Sequence, residues 1–130
     1  MRHHNANRKF GREKKVRTGF VRSLLRAIIN VEAMETTEAR AKEIRPMIEK
    51  MVTRAKTDSV ANRRLISADL GNSKVETAKL FSELGPRYKD RSGGYTRIVK
   101  TRIRKSDARF VVSQPCAFYN CTIWRHRMST

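Results

Sequence analysis

Thr36-Thr37-Glu38-Ala39-Arg40-Ala41-Lys42-Glu43-Ile44-Arg45-Pro46-Met47-Ile48-Glu49-Lys50-Met51-Val52-Thr53-Arg54-Ala55 is the stretch that decides the fold. Ala41, Ile44, Ile48, Met51, Val52 and Ala55 recur at three- and four-residue steps, which puts them on one face of an α-helix. Thr36 and Thr37 offer a hydroxyl at the N-cap. Glu38 adds an acid in the first turn, where unbonded backbone N–H groups favour negative charge. Pro46 falls inside the pattern. It removes one backbone donor and crowds the carbonyl four residues earlier, so a kink or local loosening is predicted there. A helix with one apolar face needs partners to cover that face.

Such partners lie on both sides of it. Upstream, Val16, Phe20, Leu24 and Ile28 form a helical stripe, widened by Val21, Leu25 and Ile29, with Lys14, Lys15, Arg17, Arg22 and Arg26 around the other faces. Val31 to Thr36 reads as a strand or a connector. Downstream, Thr57-Asp58-Ser59 caps a short third helix through Leu65 and Ile66. Ser73 with Glu76 makes a capping box for a fourth helix, which carries Val75, Ala78, Phe81 and Leu84 inward and stops at Gly85-Pro86. After the hinge Ser92-Gly93-Gly94, the β-branched and aromatic run Tyr95 to Ile103 reads as a strand, made basic by Arg97, Lys100 and Arg102. Arg104 to Asp107 reads as a turn and Arg109 to Ser113 as a returning strand. The expected class is α+β, with four helices packed on a small two- or three-stranded sheet.

Three regions follow from this reading: a basic extended N-terminal arm at residues 1–15, a single α+β domain at residues 16–113, and an irregular C-terminal tail at residues 114–130. Arg2, His3, His4, Arg8, Lys9, Arg12, Lys14, Lys15 and Arg17 crowd the arm and the start of the first helix. Beyond Met1, only Phe10 and Val16 are large apolar side chains in that stretch, too few to offset the entropy of ordering it. An arm of this kind is expected to order on a polyanion.

Composition points the same way. The 130 residues hold 30 Lys and Arg against 12 Asp and Glu, a net charge of +18. That excess implies a nucleic-acid partner. Cations dominate the arm, the first helix and the Tyr95 strand, whereas most acids lie between Glu32 and Glu83, so one surface is expected to face RNA and another solvent. The candidate RNA-binding residues are therefore the nine of the arm and helix start, together with Arg22, Tyr95 and Arg97. Tyr95 and Arg97 would stack or meet the backbone beside the Gly93-Gly94 turn. Aromatic residues make up only 7%, which argues against a single-strand binder built on stacking rings.

Other chemistries find weaker support. His3 and His4 sit together without further metal ligands, and Cys116, Cys121 and His126 are one ligand short of a zinc site. Glu32 and Glu35 have no histidine or nucleophile beside them for acid–base catalysis. Gly93-Gly94 lacks the context of a phosphate loop. Met34, Met47 and Met51 read as core filling. No enzyme, cofactor, metal or small-molecule substrate is expected. No apolar run reaches the length of about 20 residues that spans a bilayer. Two cysteines make no disulfide framework, so a reducing cytosol is the default. A DNA-binding or nucleoid-associated protein is the alternative function; it shares the charge, but no recognition helix or dimerisation surface is legible.

The chain resembles the bacterial-type large-subunit ribosomal protein seventeen family. The likeness runs through Met1-Arg2-His3, Thr36 to Arg45, Ala55-Lys56-Thr57 and Arg63-Arg64-Leu65. It continues through Lys79-Leu80-Phe81, Gly85-Pro86-Arg87-Tyr88 and Arg91-Ser92-Gly93-Gly94-Tyr95-Thr96-Arg97-Ile98, covering about residues 1–107 in unbroken order. The resemblance implies a structural protein of the cytoplasmic ribosome. It would bind large-subunit ribosomal RNA near the polypeptide exit region, with neighbouring large-subunit proteins as partners. It also places Met1 at the family's own start, so an organellar ribosome is the lesser expectation. The family closes on a Gly-Asp turn and a final strand. Here Ser106-Asp107 takes the turn, Phe110-Val111-Val112 supply part of the strand, and residues 114–130 have no counterpart.

Overall fold

In the computed structural model, residues 8–103 and 110–113 are described. The elements run α1 (Lys14–Val31), β1 (Glu35–Thr37), α2 (Glu38–Ala55), α3 (Val60–Asp69) and α4 (Lys74–Lys79), then a π-helical segment Leu80–Leu84 leading into α5 (Gly85–Arg87), and finally β2 (Val99–Ile103) and β3 (Phe110–Ser113). Helix dominates the mixture of helix and strand.

The periodicity of α2 turns directly into burial: Ala41, Ile44, Ile48, Met51, Val52 and Ala55 are all buried. They meet Leu25, Ile28 and Ile29 of α1, Ile66 and Leu70 around α3, and Leu80, Phe81 and Leu84 of the π segment. Met34 and Met47 pack against this cluster, so the methionines fill the core as expected. Helical assignment continues unbroken across Pro46, which is exposed on the face away from the cluster.

Helix ends reveal both success and error in the reading. Ser59 caps α3, its hydroxyl accepting from the Asn62 N–H at 3.2 Å. Thr37 takes the N-cap position of α2 without a side-chain bond to the backbone. Ser73 likewise makes no such bond; its hydroxyl donates to the Glu76 carboxylate, which also accepts from Asn30 Nδ2 at 3.0 Å. Buried Glu76 and Thr77 therefore take the inward face of α4, while Val75 is 72% exposed and Ala78 is exposed too. The expected inward pair was displaced because these polar groups find partners inside.

The predicted stop at Gly85-Pro86 is also corrected: the chain stays helical through Arg87. Pro86 cannot donate, and in an α-helix it would clash with the carbonyl four residues back. The preceding π segment changes that register, with the Gly85 N–H bonded to the Leu80 carbonyl five residues earlier. A Cβ added to Gly85 would lie 2.5 Å from the Ala55 carbonyl oxygen. Glycine is present for close helix–helix approach, and not as a terminator.

The strands form an antiparallel sheet of order β1-β3-β2, with Thr36 opposite Val112 and Ile103 opposite Phe110, and an irregularity between Lys100 and Arg102. The sheet meets the helices mainly through α2, so the centre of the molecule is helix on helix. Among the residues whose burial is described, the buried apolar side chains sit mainly on helices, whereas Val99 is exposed and β1 is Glu-Thr-Thr.

Candidate nucleic-acid interface

Helix α1 is built in two halves. Its C-terminal half is anchored, with Leu25, Ile28 and Ile29 buried. Glu32 closes it in the left-handed region at φ +65°, its N–H bonded to the Ile28 carbonyl at 2.8 Å. That conformation is uncommon for a residue with a side chain. The Glu32 carboxylate is held by Lys79 at 3.0 Å and Arg87 at 3.1 Å, so Glu32 is structural. The N-terminal half projects, with Val16 53% exposed. Lys14, Lys15 and Arg17 stand in its first turns, which contain no acid. Cations there oppose the helix dipole and repel one another.

Ion pairing separates the cations further. Lys42, Arg45, Arg54, Arg63, Lys79, Arg87 and Lys100 all lie within 4.0 Å of a carboxylate. The Arg63 guanidinium bonds both Asp58 oxygens at 2.6 Å and holds that carboxyl below its ordinary range. Among the described residues, Arg8, Lys9, Arg12, Lys14, Lys15, Arg17, Arg40 and Arg97 form no such pair. The same holds for Arg22, Arg26, Lys50, Lys56, Arg64, Lys74, Lys89 and Arg91, which are scattered over the fold, whereas six such cations stand together within residues 8–17 at the arm and the start of α1.

The described part of the arm is folded back, contrary to the expectation that it lacks the means. Phe10 and Gly11 both have positive φ (55° and 62°), and the Arg12 N–H bonds the Lys9 carbonyl at 3.1 Å. Two central residues with positive φ inside such a bond are the signature of a type I′ turn. Phe10 meets Phe20 edge-on, with centroids 5.9 Å apart at 68°. The sequence reading undervalued this pair because it placed Phe20 in the core stripe.

Two of the candidate residues belong elsewhere. Tyr95 is only 1% exposed and packs against Tyr88 at 5.3 Å, so its ring offers no face to a base. Its hydroxyl donates to the Arg91 carbonyl at 3.2 Å. Burial pushes the phenol up, and hydrogen bonds from Lys56 and Thr53 more than offset this, holding it below its ordinary value. Arg22 donates to the Ala68 carbonyl at 3.2 Å, beside Arg26, which bonds the Leu70 and Gly71 carbonyls. Arg26 serves the Leu70 and Gly71 carbonyls just past α3, whereas Arg22 adds a bond to the Ala68 carbonyl, which also accepts from the Gly71 N–H at 3.1 Å. Gly71, at φ +69°, leaves room for them, since an added Cβ would lie 2.9 Å from Arg26 Nη2.

Arg97 is exposed. Arg2, His3 and His4 lie outside the described residues, as do the Arg104 to Asp107 turn, the Cys116, Cys121 and His126 set, and the tail. Among the described residues no group of acids, histidines or cysteines is arranged to hold a metal, and no helix is long and apolar enough to cross a membrane. Arg40 was missed by the sequence reading. It lies on α2, yet its guanidinium reaches the Phe20 ring at 5.1 Å.

The family model described as Ribosomal protein L17 matches residues 20–112. A curated relative from Sphingopyxis alaskensis, named large ribosomal subunit protein bL17, is 49% identical over 108 residues, covering 83% of this chain and 77% of the relative. On that match and that identity, the chain belongs to the ribosomal protein L17 family.

Proposed function

We propose that this protein is a non-catalytic structural constituent of the large ribosomal subunit, binding and stabilising large-subunit ribosomal RNA near the polypeptide exit region, in the cytoplasmic ribosome. Its partners are that RNA and neighbouring large-subunit proteins. The reading rests on the family and on the relative's name. The observation that carries it is the group of unpaired cations at the N-terminal end of α1, where they oppose the helix dipole. Phosphate relieves that strain, because it is drawn both to cations and to unbonded helical N–H groups.

The RNA-binding set is Arg2, His3, His4, Arg8, Lys9, Arg12, Lys14, Lys15, Arg17 and Arg97, without Tyr95 and Arg22. Binding is by charge and shape, with phosphate contacts fixing position. Titration of the purified full chain with large-subunit ribosomal RNA tests it. If six to ten phosphates are neutralised, affinity falls by about 10³ to 10⁵ between roughly 50 and 200 mM salt. Affinity that is flat with ionic strength, or absence of the protein from salt-washed large subunits, overturns the proposal.

A further inference from the structure

We propose that Phe20 holds Arg12 and Arg40 as a pre-positioned guanidinium clamp for the phosphodiester backbone of ribosomal RNA. The proposal rests on the RNA-binding reading above and adds to it a defined contact. Arg12 Cζ lies 4.4 Å and Arg40 Cζ 5.1 Å from the centroid of the same ring, so both guanidiniums are anchored to one point although they come from separate segments. Stacking occupies the flat face of a guanidinium and leaves the N–H edges for a phosphate. Ordering a long arginine side chain ordinarily costs rotamer freedom on binding; a stacked arginine has given that freedom up already.

Three further observations support a built site. Phe20 is absent from the apolar core cluster, so a large ring on α1 is devoted to the arm, Arg12 and Arg40. The turn that delivers Arg12 holds Phe10 at φ +55°, a conformation that persists only when its surroundings fix it. Phe20 supplies that fixing contact, and Arg17 Nη1 donates to the Arg12 carbonyl at 3.3 Å. The carboxylate nearest in sequence to Arg40, Glu38, is engaged by Lys42 at 2.7 Å and Lys100 at 4.0 Å. The hydrogen bond from Lys42, with the Lys100 charge, holds Glu38 below its ordinary range and therefore ionised on its own partners. Both clamp arginines keep their charge available for an external anion.

The test uses full-length protein and in vitro transcribed large-subunit ribosomal RNA. The double variant Arg12→Lys, Arg40→Lys keeps the charge but removes the stacking fork. It should bind about five- to twentyfold more weakly at a fixed salt concentration, because two side chains no longer held in place must then be ordered on binding, with an unchanged salt slope. Arg12→Ala with Arg40→Ala should lower the salt slope by about two. Phe20→Leu should weaken binding in the same way as the lysine pair; if it also melts early, the lysine pair decides, because Arg12 is exposed, Arg40 only half-buried, and lysine keeps the charge at both. Should wild-type protein fail to bind the RNA, the RNA-binding reading itself falls and takes the clamp with it. If wild type binds with a steep salt dependence and the lysine pair equals it, the clamp alone is overturned.

Discussion

The two halves of α1 use the same side chain for opposite purposes. At the C-terminal half, Arg26 is part-buried and its guanidinium is consumed by carbonyls of Leu70 and Gly71. At the other end, Arg17 and the folded-back Arg12 bear charge that no described carboxylate answers. Arginine count along a helix therefore says little about binding. What distinguishes the halves is whether a neighbouring backbone has run out of donors: the Leu70 and Gly71 carbonyls past α3 have, and they capture Arg26.

The sharpest way to break this comparison is to truncate apolar residues in each half. Ile28→Ala, at a position with no exposure, should cost about 2–5 kcal/mol in denaturant unfolding. Val16→Ala, at 53% exposure, should stay within about 0.5 kcal/mol. Comparable losses at both sites would mean that the projecting half packs against something.

Next in size is Arg26→Ala. Removing it leaves part-buried carbonyls without a donor, and a loss of about 1.5–3 kcal/mol is expected. The salt slope of RNA binding should not change. A reduced slope with normal stability would reassign Arg26 to the RNA.

The smallest effect on the fold belongs to Lys14→Ala with Lys15→Ala. Relief of cation crowding at the helix start should leave the melting temperature level or slightly raised. In RNA titrations the same variant should lower the salt slope by about two. A clear fall in melting temperature would show that these lysines have partners within the fold.

How far the sequence could be read depended on whether one element or two determined the outcome. The face of α2 and the C-terminal half of the α1 stripe were legible because period and burial are properties of a single helix, as was the Ser59 cap, whereas Val16 and Phe20, read as inward, lie outside the core. Gly85-Pro86 misled because its meaning lies in the Ala55 carbonyl, distant in sequence. Val75 misled because buried Glu76 is satisfied by Asn30, forty-six residues away. Tyr95 was read from a flanking Gly-Gly turn, whereas Tyr88, Thr53 and Lys56 decide its burial. The unpaired cations at the arm were visible from composition. Their focus on Phe20 was not, since it needs a turn, α1 and α2 at once.

The π segment at Leu80–Leu84 has an effect on everything that follows it. One extra residue in a helical turn advances the phase of the downstream chain by about 100° relative to a continuous α-helix. With that offset, Leu84 and Tyr88 point into the core while Arg87 swings out to meet Glu32. Deleting one residue of the segment would reset the phase, carrying Tyr88 away from Tyr95 and Arg87 away from the end of α1. The segment acts as a vernier: a single inserted residue sets the angular alignment of the last helical turn against the first helix.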